Sequence, residues 1–172
     1  MVNTSRALEA LKLEEGKDFE WGIKSVHRTL QRAVEYAQTA QKRGLEVIIA
    51  GAGGSAHLPG IVASETLLPV LGVAITKSPD VMNPALGSMI RMPEGKPLAT
   101  FQGESGAFNA GLFAARILST HDVSLQVAYK DYESVLMEGV IVTDSHLHDV
   151  GGKAYVDEIA SNAREVASGG YY

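Results

Sequence analysis

The sequence predicts an α/β protein, a three-layer α/β/α sandwich on a mostly parallel sheet. Three observations carry that expectation. Short β-prone apolar runs alternate with helix-length segments along the chain. One such run, Val47–Ile48–Ile49–Ala50, passes directly into a glycine-rich stretch, GAGGSAHLPG (Gly51 to Gly60). No internal repeat, low-complexity linker or domain boundary interrupts the alternation. Strands that alternate with helices form βαβ units, and these place their strands in parallel.

The elements follow in order. Ser5 to Glu15 reads as a helix, capped by Thr4 or Asn3 and stopped by Gly16. Phe19 to Lys24 has strand composition. Thr29 to Arg43 carries Leu30, Ala33, Val34 and Ala37 at helical spacing, with Gly44 as its C-terminal stop. Val47 to Ala50 is the strand before the glycine loop, and Leu58 to Leu67 the helix after it. Val70 to Ile75 is a third strand, Pro84 to Met92 a short helix and Leu98 to Phe101 a fourth strand. Gly106 to Leu118 is small and apolar nearly all round, as in a helix buried on most sides. Asp122 to Glu138 is an amphipathic helix. A single domain over 1–140 and a C-terminal tail over 141–172 are the expected divisions.

Composition removes several classes of function. The chain has 172 residues, enough for one domain with a substantial core, and is 45% hydrophobic and 20% charged. A net charge of −5 argues against nucleic acid, because phosphate neutralisation needs clustered Lys and Arg. With no cysteine, disulfides, thiolate metal sites and Cys nucleophiles are excluded. No apolar run approaches the roughly 20 residues of a membrane span. The N-terminus has no signal-peptide apolar region. A cytoplasmic protein that touches neither membrane nor nucleic acid is expected.

Two corners look built for a ligand. Glycines where a strand ends and a helix begins let the backbone approach an anion closely. The first corner, GAGGSAHLPG, also carries His57 and Pro59. The second, Lys24–Ser25–Val26–His27–Arg28–Thr29, sits where a strand gives way to a helix. In open α/β sheets such corners are where ligands bind. Each of the two corners carries one histidine.

GAGGSAHLPG, the downstream LPVLGVAI, the helix opening GAFNAGLFAARIL and the segment SVHRT together resemble the N5-carboxyaminoimidazole ribonucleotide mutases of purine biosynthesis, in the AIR carboxylase family. The resemblance runs from about Ser25 to Asp122. It implies a flavodoxin-like sheet and an isomerase that moves a carboxyl group from the exocyclic nitrogen of an aminoimidazole ribonucleotide to ring carbon 4. It implies no metal, ATP or organic cofactor. His27 matches the family's acid/base, and Arg28 a residue that holds the substrate phosphate. Arg28 also points to the mutase branch, since the related carboxylases usually have Lys after the histidine. Ser25, Gly53, Gly54, Ser55, Ala56, His57 and Leu58 match substrate-binding positions, the last six in a loop that closes over the site. Family members form homo-octamers, and the apolar helix Gly106 to Leu118 is the expected interface.

The sequence departs from the family pattern in three places. Members begin with a strand and a Gly-Ser-x-Ser-Asp loop, whereas here the helix-like TSRALEALKL starts almost at Met1. The family's first strand lies inside the sheet. Its absence leaves a slot between the strand ending near Lys24 and Val47 to Ala50, with orphaned backbone groups. Two readings follow: an N-terminally incomplete enzyme, poorly soluble or inactive as it stands, or a diverged, non-catalytic nucleotide-binding or assembly subunit. Carboxylase-like chemistry on another heterocycle is a third. The second departure is Val26, where Ala is usual beside the histidine. The third is Glu104, an acid where the family more often has a base. Outside the resemblance, Asp144, His146 and His148 would share one face of a strand, as metal ligands do. No further motif completes that set, so a solvated tail without metal is the expectation there.

Overall fold

A computed structural model describes residues 2–76 and 83–168. By internal contacts the chain divides into two units, Met1–Tyr129 and Lys130–Tyr172.

The first unit is built on a parallel sheet of three strands in the order β1-β2-β3: β1 Ile48–Ala52, β2 Val70–Ala74 and β3 Ala99–Gln102. Ile48 lies opposite Val70 and Ala52 opposite Ala74; Leu71 lies opposite Ala99 and Ala74 opposite Gln102. Every residue of β2 is buried, as expected of a central strand covered on both faces. Neighbouring strands consecutive in the chain put both right-handed crossovers on one face. These are α3 (His57–Glu65) and α4 (Pro84–Ile90).

Helix α2 (Leu30–Ala40) packs with α3 on that face. Ala37 and Ala40 of α2 meet Ile48, Ala50, Val62 and Val70 in one core cluster. Ala56, Ala74, Ala85 and Met89 form a second. Side chains here must be small near the sheet. A Cβ on Gly72 would stand 3.1 Å from Met89 Sδ and 3.3 Å from Pro59 Cβ.

The opposite face of the sheet is covered by α5 (Gly103–Leu118), where Phe113 meets Phe101 of β3 with ring centroids 5.8 Å apart. Helix α1 (Val2–Ala10) packs on α5 in turn. A Cβ on Gly111 would come within 2.9 Å of Ala7 Cβ, and the Thr4 hydroxyl donates to the Ala107 carbonyl at 2.9 Å. This sandwiching explains why α5 is apolar nearly all round. Ala110, Gly111, Ala114 and Ala115 are buried within the chain itself.

The α/β fold class and its parallel sheet are as the sequence predicts, but Phe19 to Lys24 is not a strand. A strand needs a ladder partner, and among the described residues nothing pairs with the outer edge of β1. The segment is held on α2 by polar contacts instead. Arg43 Nη1 lies 3.3 Å from Glu20 Oε1, and the Lys24 and Arg43 cations sit 4.6 and 4.5 Å from the Tyr36 ring centre. Burial, reinforced by Glu20, pushes the Tyr36 phenol up to about 12. The first helix is also shorter than Ser5 to Glu15. It ends at Ala10, and Lys12 follows at φ 62°. The second helix ends as expected, with a short 3₁₀ turn over Gln41–Arg43 and left-handed Gly44 (φ 90°).

Helix α6 (Val123–Val150) begins in the first unit. Asp122 Oδ1 accepts from the Ser124 hydroxyl and the Leu125 amide, which holds the Asp122 carboxyl below its usual range. It runs beyond the expected end at Glu138. In the second unit the chain turns at Gly151 (φ 81°) into α7 (Gly152–Ser168), so residues 141–168 are helical on either side of that glycine. His146 Nε2 meets Glu158 Oε2 at 2.8 Å across that turn.

Candidate functional site

Parallel strands end on the same rim, so the chain leaves β1 and β3 on one edge of the sheet. The loop after β1 is tightly specified. A Cβ on Gly53 would press to 3.1 Å from the Ile75 carbonyl oxygen, so any side chain there crowds that carbonyl. Gly54 follows at φ 62° with open space around it. The Ala56 amide donates back to the Gly53 carbonyl at 3.1 Å. Ala56 itself is left-handed (φ 40°, ψ 43°) yet only 3% exposed, which costs it roughly 1–2 kcal/mol against a right-handed backbone. Its burial against Ala74 and Met89 holds it there. His57 is then the first residue of α3, with Leu58 half-buried and Pro59 buried behind it. Proline is tolerated in this first turn because its missing N–H has no helical acceptor. The helix opens with no side-chain cap, leaving its positive end toward the loop.

The second corner is a closed turn. The Arg28 and Thr29 amides donate to the Ser25 carbonyl at 3.2 and 2.6 Å. The Thr29 hydroxyl donates to the same carbonyl at 3.0 Å and accepts from the Ser25 amide at 3.2 Å. This clamp projects His27 and Arg28, both exposed. Sequence reasoning did not single out Thr29; its signal was a hydroxyl four residues after Ser25, at the start of a helix.

The two corners meet. His27 Nε2 lies 2.9 Å from His57 Nδ1, with ring centroids 5.0 Å apart and planes at 70°. The structure thus joins the histidines of two segments separated by 30 positions. Gly53, Gly54 and Ser55 lie exposed in the loop beside His57, while Ala56 is a buried support. Such a pair can hold, accept and release a proton between two ring nitrogens.

Glu104 does not join them through any hydrogen bond described. It lines an open depression of about 260 Å³ with Asn3, Arg6, Ser105, Phe108 and Asn109 where α5 begins. Gly103, at φ 68°, makes that third strand-to-helix corner. In the second unit Asp144 and His148 face each other one helical turn apart at 3.8 Å, whereas His146 turns to Glu158. Helical geometry separates what a strand would align. Among the described residues no three His, Cys, Asp or Glu side chains are grouped to hold a metal ion.

An open parallel sheet with polar loops at its carboxyl rim defines an α/β protein of the small-ligand class. Residues 1–138 match the AIR carboxylase family. The chain belongs to that family. It is 46% identical over 140 residues to the N5-carboxyaminoimidazole ribonucleotide mutase of Synechocystis, covering 81% of this chain and 78% of that protein. With the N5-carboxyaminoimidazole ribonucleotide mutase of Vibrio vulnificus it shares 44% over 135 residues, covering 78% and 84%. The crystal structure of PurE from Treponema denticola superimposes with a TM-score of 0.70 at 25% identity, over 85% of this chain and 88% of that one.

Proposed function

We propose that the chain is an isomerase of purine biosynthesis that converts N5-carboxyaminoimidazole ribonucleotide into its isomer carboxylated on ring carbon 4. The single observation that carries this is the meeting of His27 and His57 in a chain more than 40% identical to two mutases. The reaction breaks the bond between the exocyclic nitrogen and the carboxyl carbon and forms one from carbon 4. Carbon 4 gives up a proton and the nitrogen gains one, so the step is balanced without oxidant, reductant or cofactor. His27 carries that proton. Arg28 takes the phosphate, for which a planar guanidinium offers paired donors. Ser25 binds substrate at the base of the same turn. The loop Gly53 to Leu58 covers the ring and retains the departing carboxyl group as carbon dioxide, away from water. The test is direct. The purified chain, given the N-carboxylated ribonucleotide alone, forms the carbon-4 isomer; failure to form it removes this reading.

The same reading includes a cytoplasmic homo-octamer with one catalytic domain over 1–140 and a tail beyond. Support for association comes from α6 rather than from the expected α5. Val135, Leu136, Met137, Val140, Ile141 and Val142 are all more than half exposed, and a helix apolar on every side is normally covered. No helix among the described residues is long and apolar enough to cross a membrane. Light scattering at micromolar concentration gives the assembly size, and a stable monomer there refutes the octamer.

A further inference from the structure

We propose that His57 is a positioning residue for His27, fixing it as the Nε2–H tautomer so that its Nδ1 is the atom that exchanges the proton. This rests on the functional reading above. The contact joins His27 Nε2 to His57 Nδ1 at 2.9 Å, a distance that requires one hydrogen between them. Each neutral ring carries one N–H and one bare nitrogen. If His27 is to accept a proton at Nδ1, its own hydrogen sits on Nε2 and is donated to the lone pair of His57 Nδ1. His57 then keeps its hydrogen on Nε2. When Nδ1 of His27 gains a proton, the imidazolium still donates through Nε2, and that bond becomes charge-assisted and stronger. The contact therefore survives the proton transfer and favours it.

The direction of control follows from how each ring is mounted. His57 follows a buried left-handed alanine, precedes a buried proline and sits behind a glycine wedged on the Ile75 carbonyl. The backbone at that point has little freedom. His27 sits on a turn closed only by Ser25 and Thr29, with no strand behind it among the described residues. Both rings are exposed, so packing orients neither one. The contact at His27 Nε2 is therefore what holds the looser ring, as orienting partners do for other histidines.

The test uses the full chain and two variants, His57→Phe and His57→Asn. Phenylalanine keeps an aromatic ring but has no nitrogen. Asparagine places an amide oxygen near the position of Nδ1. NMR of the imidazole nitrogens reads the tautomer of His27 directly. The expected spectrum has His27 as Nε2–H in the wild type and in His57→Asn, and as a mixture in His57→Phe. Turnover falls about tenfold in His57→Phe with KM little changed, and returns to within about threefold in His57→Asn. A tautomer and kcat unchanged in His57→Phe overturn the proposal, as does a loss confined to KM. An asparagine variant as impaired as phenylalanine overturns it too. Should the wild type lack mutase turnover, the functional reading falls, and the NMR comparison alone still decides the role of His57.

Discussion

The two histidine corners are built differently. The one after β1 is continuous with the sheet: Ile48 to Ala52 pair residue by residue with Val70 to Ala74, and the loop beyond is pinned at Gly53 and Ala56. The one at Ser25 to Thr29 hangs from hydrogen bonds within a single turn. Its approach, Glu20 to Lys24, lies on α2 through a cation–carboxylate pair and the Tyr36 ring. One corner inherits its geometry from the core, the other from a few surface contacts. A pair assembled from such unequal halves depends on the contact between them more than on either alone.

The largest expected effect breaks the well-founded half. Leu71 is 1% exposed in the central strand, so Leu71→Ala should cost about 2–5 kcal/mol in urea unfolding. Ile23 is 82% exposed on the other approach, and Ile23→Ala should change stability by less than about 0.5 kcal/mol. Equal costs would mean that the two approaches are equally embedded. Next comes the chemistry. His27→Asn should lower turnover by about 10²-fold or more while its melting temperature stays at the wild-type value. Near-normal turnover in that variant would remove His27 from the proton path.

A smaller change sharpens the contrast at the loose corner. Thr29→Val deletes the hydroxyl that both donates to and accepts from Ser25, and should cost about 1 kcal/mol. Denaturant unfolding measures it; a neutral result would leave the Ser25 turn held by its backbone bonds alone. The last effect is confined to alkaline pH. Tyr36 ionises higher in the fold than its ordinary 10, chiefly because burial disfavours the phenolate. The unfolded chain loses that proton first as pH rises. The contribution of Tyr36 is therefore complete below pH 10 and is lost between pH 10 and about 12. Tyr36→Phe should flatten the fall in stability over that window, and an unchanged slope would assign it elsewhere.

Much of this was legible from residues. Val70 to Ile75 announced a buried strand because an unbroken apolar run has no solvent face to leave. Gly44 and the glycines after Ala52 marked positions where the backbone turns left-handed or is crowded. Phe19 to Lys24 misled because β composition describes a side-chain preference, while a strand also requires a neighbour's amides and carbonyls. Residues 139–168 misled in the opposite sense. Asp144, His146 and His148 share a face only on a strand, yet the segment is two helices joined at one glycine. At the site, sequence marked both histidines as belonging to ligand corners. It held no sign that their rings touch, because that distance depends on how α2 and α3 pack.

The consecutive order of the strands has a consequence for the time course of folding. The step from β1 to β2 closes a loop of only one helix, so that pairing demands little entropy to nucleate. The His27–His57 contact spans 30 positions and lies outside that sheet. A refolding protein should therefore protect the amides of β2 early, and form the His27–His57 contact only as the Ser25 turn docks. Destabilising that turn would speed local opening without slowing formation of the sheet.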